Sequence, residues 1–88
     1  MTNLINPTIN LNGSDPAYLV NQRRQAMDCL NDAIEALARA APHGRDYPGD
    51  YDRCIADRET HFIRLEAIKA LREAIYAEAI AIQEGANK

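Results

Sequence analysis

The chain has 88 residues, of which 47% are hydrophobic and 26% charged, and its formal net charge is -3. A chain this short buries only about 60% of the surface it exposes when unfolded, so it forms one domain at most, with a core that stays marginal unless copies associate. The acidic balance excludes a general DNA or RNA binder, which needs clustered Lys and Arg to displace counterions. No apolar run approaches the roughly 20 residues of a membrane span, and the N-terminus lacks the regions of a secretory signal, so a cytoplasmic location is expected.

Residues 1–14 read as an extended arm. Asn3, Asn6, Pro7, Asn10, Asn12 and Gly13 interrupt any helix, yet Leu4, Ile5, Ile9 and Leu11 are apolar enough to need a surface. That surface is either the chain's own helices or a neighbouring copy. A helix over 15–41 follows, with Asp15 as cap and Pro16 at the first helical position, where a missing N–H is harmless. Val20, Arg23, Met27, Leu30, Ile34, Leu37 and Ala41 recur at three- and four-residue steps, the pattern of a helix-packing seam with Arg23 as its one interruption. The flank of Ala26, Cys29, Ala33, Ala36 and Ala40 is small, so a second helix has room there. Pro42 ends the helix.

A bend over 42–50 leads to a second helix over 51–84, capped by Asp50 and ended by Gly85, with 85–88 as a tail. Its stripe is Ile55, Phe62, Leu65, Ile68, Leu71, Ile75, Ala79 and Ile82, with Tyr76 and Ile80 to one side. If residue 41 faces residue 51, Arg23 lies near Lys69, with Glu66 and Glu73 one turn either way. Ile80 and Ile82 then overhang the first helix. The same register puts Cys29 and Cys54 roughly 14 Å apart at 1.5 Å per residue, so both are expected as free thiols. The fold class is therefore all-α: an antiparallel hairpin of two long helices with an extended N-terminal arm, assembling as a homo-oligomeric bundle.

Chemistry concentrates at the bend. His43, Arg45 and Tyr47 lie in it, Arg53 is in the first turn of the second helix, and His61 is two turns deeper. A helix N-terminus favours anions, Arg donors match phosphate or carboxylate, and a Tyr ring stacks on a base. These five are the candidate ligand-binding residues, for a small phosphate-bearing nucleotide. The bland alternatives are an Arg53–Asp57 surface pair, an Arg45–Asp46 contact within the turn, and a half-buried His61 in the helix seam. Ser14 is the only Ser. No nucleophile has a base at a telling position and too few ligands converge for a metal, so no catalytic residue, cofactor or metal is expected.

The run His43-Gly44-Arg45-Asp46-Tyr47, then Glu59-Thr60-His61 and Leu65-Glu66-Ala67-Ile68, resembles a group of small phage and prophage helical proteins with a His-Gly-Arg-Asp-Tyr-Tyr bend. Pro48 stands where their second Tyr falls. The resemblance implies a phage setting. By analogy of size and pocket chemistry, it looks most like the oligomeric anti-defence sponges, which sequester a cyclic nucleotide or cyclic ADP-ribose type of immune signal. The alternative expectation is a helical interaction module that binds and inhibits a host protein, or a virion assembly accessory.

Overall fold

The computed structural model describes residues 4–5 and 15–86. Two α-helices, α1 over Pro16–Arg39 and α2 over Tyr51–Ala86, pack side by side, with a single 3-10 turn over Gly44–Asp46 between them. Among the described residues there is no strand. The particle measures 64 × 22 × 16 Å with a radius of gyration of 18.5 Å. A compact chain of this length would have a radius near 12 Å. A rod this thin leaves little interior: among the described residues, the buried apolar side chains are Cys54, Ala79 and Ile82.

The start of α1 follows its sequence signal. Asp15 Oδ1 accepts from the Ala17 N–H at 2.7 Å, and Pro16 takes the first helical position. At the other end the Ala40 N–H reaches back to Leu37 O at 3.0 Å, and Pro42 prevents continuation. Helix α2 does not stop at Gly85; it runs through to Ala86. One helical Gly costs only about 1 kcal/mol, which a helix of this length absorbs.

Register is where the structure departs furthest from expectation. Arg23 does not meet Lys69; its Nε lies 3.7 Å from Glu78 Oε2, nine residues further along α2. Arg72 Nη1 donates to Asn31 Oδ1 at 2.9 Å and His61 Nε2 to Leu37 O at 2.7 Å, in the same displaced register. The cause is the connection. It climbs back along α2 before α1 begins to pair, so Arg58 Nε meets Pro42 O at 2.9 Å and Tyr47 reaches Asp57. The overhang therefore falls at the N-terminal end of α2. At the other end Pro16 and Val20 lie beside Gln83 and Ala86, and Ile82, expected to lack a partner, is 1% exposed.

The seam of α2 runs Cys54, His61, Leu65, Ile68, Arg72, Ile75, Ala79 and Ile82, at three-, four- and seven-residue steps, all buried or half-buried. Facing it on α1 are the half-buried Val20, Arg23, Met27, Leu30, Ile34 and Leu37. Three members of the expected stripe, Ile55, Phe62 and Leu71, instead point outward. Of the arm, Leu4 and Ile5 are described: the Ile5 N–H donates to Glu78 Oε1 at 2.8 Å, tying that point to its own hairpin. The remaining arm residues lie outside the described ones.

Candidate functional site

The bend is built by three small devices. His43 Nδ1 accepts from the Arg45 N–H at 3.1 Å, which caps the 3-10 turn and leaves the ring proton on Nε2. The Tyr47 N–H then bonds Gly44 O, and the Asp50 N–H bonds Tyr47 O, both at 3.0 Å. Between Tyr47 and Asp50 sit Pro48 and Gly49, and Gly49 has φ of 77°. Pro followed by a left-handed Gly is the residue pattern of a type II turn, so Pro48 and Gly49 each have a conformational reason here.

The first turn of α2 supplies its own anion. Asp50 Oδ1 accepts from the Arg53 N–H at 3.2 Å, so one of the free donors is taken and a carboxylate already stands where a ligand anion would be attracted. Tyr47 Oη donates to Asp57 Oδ2 at 2.6 Å. That bond holds the phenol above its ordinary value of 10.0, with burial and the Asp57 charge acting in the same direction.

The five candidate residues do not converge. Tyr47 and Arg53 share a cleft of about 460 Å³ with Asp46, Asp50 and Asp57. Three carboxylates against one guanidinium repel phosphate, so this cleft is unsuited to an anion. His43 and His61 line a different groove, of about 630 Å³, with Arg39, Arg58, Phe62 and Leu65. Arg45 is exposed and lines neither of the two.

The second groove has the chemistry the first lacks. Its lining includes two guanidinium groups and two imidazoles and no carboxylate. His61 donates from Nε2 to Leu37 O at the C-terminal end of α1, a carbonyl that also accepts from the Ala40 N–H, and this fixes the ring between the helices. Arg58 is anchored through Nε to Pro42 O, which leaves its two terminal nitrogens without a hydrogen bond among the described residues. Arg39 has no hydrogen bond or ion pair among them either. Phe62, 61% exposed, presents its ring at the rim. Arg39, Arg58 and Phe62 were missed as site residues because the assumed register placed the end of α1 opposite the start of α2. The four-residue Arg58–Phe62 spacing was the available signal.

Among the described residues no group of three or more His, Cys, Asp or Glu is arranged to hold a metal ion. No described helix is long and apolar enough to cross a membrane. The fold and the two clefts together define a helical hairpin with one acidic and one basic recess at its bend. No protein-family model, curated protein or solved structure matches the chain.

Proposed function

We propose that the chain is a non-catalytic binding protein that holds a small phosphate-bearing ligand, of nucleotide type, in the groove of Arg39, His43, Arg58, His61 and Phe62. The observation that carries this reading is the groove's lining, cationic and aromatic with no carboxylate in a chain of net charge -3. Arg39 and the terminal nitrogens of Arg58 take phosphate oxygens, and the Phe62 ring stacks on a base. Of the five expected residues this reading retains His43 and His61 and sets aside Arg45, Tyr47 and Arg53, which do not line the groove. Such a protein works as a trap, a role drawn by analogy of size and pocket chemistry with the phage anti-defence sponges. A second copy packing on the small exposed flank of Cys29, Ala36 and Ala40 gives the homo-oligomer this role favours.

Thermal unfolding with a panel of mononucleotides, cyclic nucleotides and ADP-ribose tests the reading. A ligand at about 100 times its Kd stabilises by roughly 2.7 kcal/mol, and the gain should vanish in Arg39→Ala while persisting in Arg53→Ala. A flat panel, or a gain that depends on Arg53 and not on Arg39, overturns it.

A second reading, a protein-interaction module, is favoured by the exposed apolar side chains at the start of α2. Tyr51, Ile55, Phe62 and Ile63 are all solvent-facing. A contiguous patch of large apolar residues on a small protein is characteristic of an interaction surface.

A further inference from the structure

We propose that the outer face of α2 is a docking strip for a basic amphipathic helix of another protein. This rests on the second reading above and names the chemistry of the partner. Asp52, Glu59, Glu66 and Glu73 recur along α2 at seven-residue intervals, and all four are exposed. Ile55, Phe62 and Tyr76 stand three residues after Asp52, Glu59 and Glu73 and are also exposed, while the position three after Glu66 is the half-buried Lys69. Alternating steps of three and four are the geometry of a seam between two helices, but here one row is carboxylate and the other apolar except at Lys69, which lies beside Glu66.

The strip is separate from the contact with α1, which takes Leu65, Ile68, Ile75 and Ile82 on the other side of the helix. At its N-terminal end a shallow, mostly apolar recess of about 400 Å³ opens between Ile55, Arg58, Glu59, Phe62 and Ile63, with Arg58 bonded through Nε to Pro42 O. Ile63 is 68% exposed there, a large aliphatic side chain left mostly to solvent.

Charge selects the occupant. A second copy laid parallel on this face sets each carboxylate against its own counterpart. Laid antiparallel, it drives the carboxylates of one copy into the apolar row of the other, stripping water from charges that gain no partner. The chain's own cations answer only part of the strip: Lys69 lies 3.4 Å from Glu66 and Arg72 lies 3.2 Å from Glu73. Asp52 and Glu59 have no ion pair among the described residues. A helix carrying Lys or Arg in one row and Leu or Ile in the next satisfies both rows at once. Nucleic acid and anionic lipid are repelled by the same carboxylates.

The test uses the full chain and two labelled synthetic helical peptides that share a Leu row and differ in having Lys or Glu as the second row. Fluorescence anisotropy should show saturable, salt-sensitive binding of the Lys peptide and none of the Glu peptide. The pair Glu59→Lys and Glu66→Lys should weaken the Lys peptide at least tenfold, as should Ile63→Ser, with wild-type circular dichroism retained. None of these three residues lines the basic groove. Equal binding of the two peptides overturns the charge assignment while leaving a docking face. Binding of neither overturns both. Self-association abolished by Ile63→Ser gives the face to a second copy and overturns the proposal as well.

Discussion

Glu78 is the strongest lever on this fold. It is 7% exposed, accepts the Ile5 N–H through one oxygen and faces the Arg23 guanidinium through the other, so one side chain joins the arm, α1 and α2. Removing one member of a fully buried pair costs about 3–5 kcal/mol, mostly through the charge left behind. Here Arg23 is 16% exposed at its side chain and also reaches Leu19 O at 3.4 Å, and the Arg23–Glu78 separation of 3.7 Å is long. Glu78→Ala is therefore expected to cost about 2–3 kcal/mol, below the range for a fully buried pair. Against a total stability of roughly 4–13 kcal/mol for a chain of this size, that is a large fraction. It corresponds to a fall in Tm of about 10–20 °C. Urea and thermal unfolding followed by circular dichroism, at one fixed protein concentration, measure it. The paired change Arg23→Met with Glu78→Met should recover at least about 1 kcal/mol relative to the sum of the single changes, because no buried charge is left alone. A Glu78→Ala cost below about 0.5 kcal/mol, or a double-mutant cycle additive within that margin, refutes the assignment of Glu78 as the junction.

Three further outcomes follow from the bend and the thiols. Gly49→Ala should destabilise by about 1 kcal/mol through backbone strain alone, since φ is 77° and a Cβ there meets nothing within 4 Å. Gly44→Ala, with equal space and no positive φ, should be neutral or stabilising by up to about 1 kcal/mol, and equal costs at the two sites in urea unfolding refute the turn geometry. In an alkaline titration of tyrosinate absorbance, one of the four Tyr should ionise above 10.0, and that component should disappear in Tyr47→Phe. Because folding raises this value, the stability it contributes is complete below about pH 10 and is lost as pH climbs through the raised value. Finally, a thiol reagent should label Cys29 rapidly in the native protein and Cys54 only on unfolding; two fast thiols would contradict the burial of Cys54.

Helix identity was legible in the residues because it depends on local signals. Asp15-Pro16 starts α1, Pro42 limits it, Asp50 caps α2, and Tyr47-Pro48-Gly49-Asp50 spells a turn. Each acts over a few positions of backbone. The seam of α1 was equally readable from its three- and four-residue steps. The seam of α2 was not, since that helix is apolar over a wide arc and the stripe through Ile55, Phe62 and Leu71 competes with the one through Cys54, His61, Ile68 and Ile75. Choosing between them requires knowing which side α1 occupies, and the polar bonds made by His61 and Arg72 across the interface decide it.

Composition and periodicity thus determined that the chain makes two antiparallel helices, too few to enclose the apolar surface they carry. Only the tertiary structure decided how far one helix slides along the other, because a repeating seam fits at several offsets, and the path of the connection together with the Arg23–Glu78 pair selects one. That offset separates Tyr47 and Arg53 from His43 and His61, gathers Arg39, Arg58 and Phe62 into the basic groove, and turns Ile55, Phe62 and Ile63 toward solvent.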